Sequence, residues 1–249
     1  TRAVVRRAGK LGPLAGSIAG VFPQCGFSAA ASNLYAGGVI TTGTLIAVFL
    51  STSDEMLPIF ISESVSVRAI AVVLGIKLVL GMITGFLVDF IFRFRPSPIR
   101  YKEIHSMCES EHCGCEEGIF PSALKHTVKI FLFVFLCSIV LGFLIELGGK
   151  SHLAQFLSGY PVLGPLLAGI VGLIPNCASS VVITQLFLGG LISFGTMMSG
   201  LLVGAGVGLL ILFRTNKRWK ENLSILCILY VSGVVWGTVL DIIWKLYSL

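Results

Sequence analysis

The sequence predicts an all-α polytopic membrane protein built from two inverted-topology repeats, and composition, internal similarity and charge placement support this. Of the 249 residues, 55% are hydrophobic and 12% are charged, and the mean hydropathy is +0.94. A soluble domain carries about 25% charged residues. Half that share, with such a high hydropathy, indicates a chain embedded in a bilayer.

The chain is similar to itself at an offset of 152 residues. Gly12-Pro13-Leu14 is matched by Gly164-Pro165-Leu166, and the similarity continues without a gap over roughly eighty residues. Shared composition could explain the glycine and leucine matches, but not those of rarer residues. The rarer matches pair Pro23 with Pro175, Cys25 with Cys177, Ser28 with Ser180, and Asp89 with Asp241. We therefore predict repeats at 1–92 and 127–249, joined by a loop at 93–126. The helix near 127–147 has no counterpart before the first repeat, so one further upstream helix is expected.

Apolar stretches define the expected crossings. A crossing helix needs about 20 residues, and five spans qualify: about 40–60, 68–92, 128–148, 192–213 and 223–247. Two other stretches, 12–35 and 164–187, are each cut by Pro-Gln-Cys-Gly or Pro-Asn-Cys-Ala. Because proline removes a backbone donor and disfavours helix in the preceding residue, each is predicted to be a broken helix or a re-entrant hairpin.

Basic residues choose between these alternatives. They cluster at Arg2–Lys10, Arg93–Lys102 and Arg214–Lys220. With 12–35 and 164–187 as hairpins, all three clusters fall on one face, as the positive-inside rule requires. Full crossings would split them. The sequence thus predicts hairpins, oppositely oriented repeats and cytoplasmic basic loops. Nucleic-acid binding is not indicated, because every cluster adjoins an apolar run.

The two proline-containing hairpin tips are the first candidate site. Non-helical backbone at membrane depth is tolerated where it is buried or lines a cavity, and half-helix ends direct amides and carbonyls at ligands. The sulfurs of Cys25 and Cys177 would suit thiophilic metals or arsenicals, or both residues are small packing groups. The predicted substrate ligands at the tips are Gln24, Cys25, Ser28, Asn176, Cys177, Ser179 and Ser180.

A pair of carboxylates, Asp54 and Glu55, is the second candidate site. They lie inside span 40–60, whereas the counterpart segment 203–207 is uncharged. A carboxylate within the membrane costs about 2.5–3.5 kcal/mol and marks a functional site by default. Adjacent residues do not share a helix face, so one would face substrate while the other meets Lys77.

The neighbouring hydroxyls extend this second site. Ser51, Thr52 and Ser53 precede the carboxylates, and oxygen ligands suit hard divalent ions such as manganese. We predict a cation or proton site here. Two alternatives stay open: a purely structural ion pair with Lys77, or carboxylates that lie closer to the outer surface. Asp89 and Asp241, near helix ends, rank below Asp54.

The loop between the repeats is the third candidate site. Its metal-ligating side chains are His105, Cys108, His112, Cys113 and Cys115. Cysteines in a reducing cytosol favour metal binding over disulfides, although this spacing is not that of a zinc finger. The loop is either a metal-collecting or sensing segment or a polar linker.

Four motifs resemble a known family. They are Pro23-Gln24-Cys25-Gly26-Phe27-Ser28, the stretch from Leu50 to Pro58, His112-Cys113-Gly114-Cys115-Glu116, and Pro175-Asn176-Cys177-Ala178. The chain is similar over essentially its whole length to the heavy-metal exporters described as arsenic efflux proteins or manganese transporters. The resemblance implies about ten membrane segments and efflux across a bacterial inner membrane.

The function expected from the motifs and the resemblance is secondary-active export of a metal or metalloid, either manganese or an arsenical, by alternating access. The coupling ion would be a proton or sodium, since no nucleotide motif is present. No resident cofactor is expected, the divalent metal being substrate, and a homo-oligomer is left open. The alternatives are a permease for an organic solute or anion that uses Lys77, an intramembrane thiol enzyme using Cys25 and Cys177, and a metal sensor.

Overall fold

The computed structural model describes residues 2–22, 25–53, 56–93, 163–175 and 177–247, and positions 128, 132, 135, 136, 139 and 143. Regular secondary structure in these ranges is entirely helical. The continuous helices are α1 (Arg2–Val21), α2 (Cys25–Ala36), α3 (Thr42–Ser51), α4 (Met56–Ser62), α5 (Val67–Arg93), α6 (Gly164–Gly172), α7 (Cys177–Leu188), α8 (Phe194–Val203), α9 (Val207–Thr215) and α10 (Trp219–Tyr247).

Four segments are long and apolar enough to cross a membrane, namely Thr42–Ser62, Val67–Phe92, Phe194–Thr215 and Trp219–Leu246. They coincide with four of the five predicted spans. The all-α, multi-pass membrane fold is therefore confirmed. The remaining predicted span, 128–148, lies mostly outside the described residues, and the loop at 94–126 lies wholly outside them.

The spans differ in how deeply they are buried within the protein. The most apolar windows of Thr42–Ser62 and Phe194–Thr215 are 75% and 78% buried, against 33% and 22% for Val67–Phe92 and Trp219–Leu246. The first two spans therefore form the centre. The long helices α5 and α10 lie outside them and expose apolar side chains suited to lipid, among them Phe86, Phe90, Val231 and Val235.

The two proline-containing tips break the helices where the sequence predicts. Helix α1 ends at Val21 and α2 begins at Cys25, while α6 ends at Gly172 and α7 begins at Cys177. The basic segment at the start of the chain belongs to α1, which continues through Pro13. The Ser17 hydroxyl donates to Pro13 O (2.8 Å) within this helix. That each pair of helices re-enters the membrane stays a prediction.

The central spans predicted at 40–60 and 192–213 contain breaks in the helix that the sequence does not predict. Helix α3 ends at Ser51 and α4 begins at Met56, while α8 and α9 are separated by residues 204–206. In the second gap, Gly206 has φ +53°, a backbone conformation that glycine adopts readily. In the first gap, the Thr52 hydroxyl donates to Val48 O (2.7 Å), the kind of local bond that competes with helix.

The duplication is visible as matching structure. The bounds of α2 and α7, and of α3 and α8, differ by the sequence offset. Helix α3 packs against α1 and α5, and α8 packs in the same way against α6 and α10. Between the repeats, α2 packs on α9 and α7 packs on α4. Each repeat therefore places a half-helix on the other, while their relative orientation in the bilayer stays a prediction.

Candidate functional site

The site is built around the first helix interruption, which follows α3. Ser51, Thr52 and Ser53 are all buried here, with at most 4% of their surface exposed. The Ser51 hydroxyl donates to Ala47 O (2.8 Å) and the Thr52 hydroxyl to Val48 O (2.7 Å). Their hydrogens are thus directed at α3, and each hydroxyl oxygen keeps an acceptor lone pair. Three buried hydroxyl groups therefore lie in this segment, and their role in binding substrate stays a prediction.

Lys77 connects this interruption to the second repeat. Its side chain is 1% exposed, and its Nζ donates to Thr52 O and to Leu201 O, the latter at 3.1 Å. Thr52 follows the last residue of α3, and Leu201 lies in the last turn of α8. The C-terminal ends of α3 and α8 therefore meet at one ammonium group. Hydrogen bonds of this kind lower the free-energy cost of burying the charged group.

The first tip lies next to the same interruption. The Ser53 hydroxyl donates to Val21 O (2.9 Å), a carbonyl at the end of α1. That carbonyl is one of the four that a helix leaves unpaired at its C-terminus. The two residues that follow Ser53 are Asp54 and Glu55, which lie outside the described residues, as do Gln24 and Asn176. The contact places the 51–53 segment against the C-terminal end of α1, the helix that precedes the first tip.

The second interruption receives α2 of the first repeat. The Ser32 hydroxyl donates to Gly208 O (2.7 Å), near the start of α9. Ser28 lies one turn earlier, and a Cβ on Gly208 would lie only 2.8 Å from Ser28 Cβ. Glycine is needed at 208 because α2 approaches so closely. Ser28, a predicted ligand, therefore lies against the second interruption.

Hydroxyl groups also lie at the second tip, where their hydrogen bonds are local. The Ser179 hydroxyl donates to Ile174 O (3.4 Å), and Thr184 donates to Ser180 O (2.7 Å) in the next turn. Ser179 is buried and Ser180 is half-buried. Both lie in the first turn of α7, the helix that packs on α4. Cys25 and Cys177 are the first residues of α2 and α7, and their side chains are not described.

Sequence reasoning missed three groups at this site: Ser32, the carbonyl of Leu201, and Gly208. Ser32 follows Ser28 by one turn, and the matching pair Ser180 and Thr184 could have revealed a polar stripe on each half-helix. The glycines at 204, 206 and 208 are a sequence signal that could have indicated the break in the helix. A backbone carbonyl such as that of Leu201 carries no sequence signal.

A metal ion could also be held by a cluster of carboxylate, imidazole and thiol side chains. Within the described part of the chain, no group of three or more His, Cys, Asp or Glu side chains could hold a metal ion. The metal ligands predicted from sequence are Asp54, Glu55, His105, Cys108, His112, Cys113 and Cys115, and all lie outside that part. They stay predictions.

The fold and the helix interruptions define a multi-pass membrane protein with irregular backbone inside two central spans. A comparison with family models matches the chain over residues 2–151 and again over 128–247, both to the family described as "Putative, 10TM heavy-metal exporter". The chain belongs to this family, which is one of exporters and not an enzyme class. No curated protein and no solved structure matched the chain.

Proposed function

We propose that the protein exports a metal or metalloid from the cytosol by secondary-active transport, with alternating access around the two helix interruptions. The observation that carries the proposal is the meeting of the C-terminal ends of α3 and α8 at Lys77, inside the two most buried spans. Transporters place substrate and ion sites at discontinuous helices where repeats meet. The family description supplies the direction of transport and the substrate class.

The residues proposed to bind substrate lie at or beside the interruptions. Asp54 and Glu55 follow Ser53 directly and would bring two carboxylates to the hydroxyls of 51–53. These oxygens favour a hard divalent ion such as manganese. The thiols of Cys25 and Cys177, at the first residues of α2 and α7, would favour an arsenical. The coupling ion would be a proton or sodium.

The surroundings of the transport path complete the proposal. The protein would lie in a bacterial inner membrane with its basic segments in the cytosol. The loop carrying His105, Cys108, His112, Cys113 and Cys115 would collect metal on that side. The exposed apolar faces of α5 and α10 support contact with lipid, and they also leave room for a homo-oligomer.

Flux into proteoliposomes tests the proposal. We expect labelled manganese or arsenite, but not organic anions, to move when a proton or sodium gradient is imposed. The variants Asp54→Asn and Glu55→Gln should lower the flux about tenfold or more, because losing one member of a buried charged pair costs about 2–5 kcal/mol. The matched control is Glu63→Gln, whose carboxylate is exposed beyond α4 and should leave the flux unchanged.

A permease for organic anions is the second candidate, favoured by the buried ammonium of Lys77 at the interruption. Flux of an organic anion without any flux of metal would support it and contradict metal export. Equal loss of metal flux in Glu63→Gln would show that the carboxylates at 54 and 55 have no special role.

A further inference from the structure

The end of α8 has a carbonyl released by the helix interruption. In a continuous helix, Ala205 N would donate to Leu201 O, four residues earlier. Here Ala205 N donates to Val203 O (2.8 Å), and Gly204 N closes the last helical bond to Gly200 O (3.0 Å). Leu201 O accepts instead from Lys77 Nζ. The break in the helix therefore creates the acceptor that the lysine uses.

The end of α3 supplies the second acceptor. Thr52 caps α3, and its carbonyl accepts from the same Nζ. A helix C-terminus carries a partial negative charge of about half an electron, and two such ends come together here. They would repel one another without a cation between them. Main-chain carbonyls at half-helix C-termini are also the groups with which transporters coordinate sodium.

Lys77 is held in this position by its own helix. One turn further along α5, a Cβ on Gly81 would lie 3.0 Å from Ala47 O, so α5 lies directly against α3. The repeat counterpart of Lys77 is Leu229, which is apolar and fully buried. A single ammonium therefore serves the helix ends of both repeats. Since only 1% of Lys77 is exposed, its ammonium is stabilised by contacts within the protein rather than by bulk water.

We infer that the Lys77 ammonium is a built-in monovalent cation that fills a carbonyl site which would otherwise take a free ion such as sodium. The ammonium carries one positive charge and is tethered to α5, so it cannot dissociate during transport. Export by the native chain would then need no sodium, which leaves the proton as coupling ion. This step goes beyond the proposed function, and only its flux measurement rests on that function.

Thermal unfolding of the purified full chain tests the site without transport. The variant Lys77→Met removes the charge and keeps most of the side-chain length. We expect sodium chloride to raise its melting temperature by about 2–4 °C over N-methylglucamine chloride at equal ionic strength, because an ion that binds only the folded state stabilises it. The native chain and the control Lys220→Met, which loses an exposed lysine of α10, should melt at the same temperature in both salts.

Flux provides the second measurement. Native export should be equal with and without sodium, whereas Lys77→Met should export only when sodium is present. A sodium-specific rise in the melting temperature or flux of the native chain would overturn the inference, since its site is already filled. The inference would also be overturned if Lys77→Met folds but sodium changes neither its melting temperature nor its flux.

The remaining outcomes are also decisive. If Lys77→Met and the shorter Lys77→Gln fold in neither salt, the inference fails, because sodium should replace the missing ammonium. Folding in sodium alone supports it. If the native chain moves no metal while sodium still stabilises Lys77→Met, the proposed function fails and the cation site stands.

Discussion

Two aspartates at matching positions of the repeats hold the N-termini of the central helices. Asp89 Oδ1 accepts from Gly43 N (2.8 Å) and its Oδ2 from the Thr41 hydroxyl (2.6 Å). Asp241 accepts in the same way from Gly195 N (2.8 Å) and the Ser193 hydroxyl (2.7 Å). Each carboxylate thus pairs an amide that the helix leaves unbonded and places negative charge at the positive end of the helix. These hydrogen bonds give Asp89 and Asp241 a structural role, which is to stabilise the N-termini of α3 and α8.

The stability of the protein should depend on both caps. We expect Asp89→Ala and Asp241→Ala each to lower the free energy of unfolding by about 1–2 kcal/mol, the usual cost of losing an N-cap acceptor. Asn replacements keep an acceptor oxygen and should cost less. Thermal unfolding in detergent measures this, with Glu63→Ala as a control that removes an exposed carboxylate. Unchanged melting with abolished metal flux would instead place these aspartates in the transport site.

The sequence allowed the repetition of Asp89 and Asp241 to be predicted, but not their role. The cap amide of Gly43 lies 46 residues away from Asp89 in the chain, and main-chain amides have no residue signature. The same applies to Lys77: its place within a span was predictable, whereas its acceptors, Thr52 O and Leu201 O, are carbonyls. Side-chain chemistry can be predicted from sequence, and main-chain partners follow only from the fold.

At the scale of the helices, α6 and α8 can approach closely because glycines lie between them. A Cβ on Gly172 would overlap Gly200 O and lie 3.1 Å from Gly200 C. Both neighbours are main-chain atoms that cannot turn away as a side chain could. Small residues let membrane helices approach in this way and gain van der Waals contact.

We expect Gly172→Ala to push α6 away from α8 and to lower the free energy of unfolding by about 1–3 kcal/mol, as overpacking does. The matched control is Gly75→Ala in α5, where an added Cβ meets nothing within 4 Å. That change should be neutral or stabilise the protein by up to about 1 kcal/mol through helix propensity. Thermal unfolding of both variants tests this prediction. Equal melting temperatures would contradict the close approach of α6 to α8.

The positions of the helices were predictable because hydropathy alone locates a span. The interruptions inside two of the spans were not predicted, since residues 42–62 and 194–215 are apolar enough to suggest single helices. Each break is stabilised by contacts from elsewhere: Lys77 of α5 at the first, and Ser32 of α2 at the second. Tertiary packing thus overrides a local preference that the sequence makes plain.

Across the whole molecule, the two repeats are interlocked. Helix α2 of the first repeat packs on α9, and α7 of the second packs on α4. The Ser32 bond to Gly208 O joins the first of these pairs. If the repeats rock against one another as proposed, α2 would move together with α9, and α7 together with α4.

One hydrogen bond joins the repeats at equivalent positions. Trp236 Nε1 donates to the Thr84 hydroxyl (2.9 Å), and the two residues are 152 apart. Thr84 is buried in α5 and Trp236 is half-buried in α10, so this bond ties the two outer helices together at equivalent repeat positions.

A double-mutant cycle measures how firmly this bond couples the repeats. We expect Thr84→Val and Trp236→Phe to show a coupling of about 0.5–1.5 kcal/mol in the free energy of unfolding, the net value of a buried hydrogen bond. The control cycle pairs Trp236→Phe with Thr215→Val, whose hydroxyl donates to Ile211 O within α9, and should be additive within about 0.5 kcal/mol. Additivity in the first cycle would mean that the repeats are not joined through this bond. The Lys77 hydrogen bonds and the packing of α2 on α9 and of α7 on α4 would then carry the coupling between the repeats.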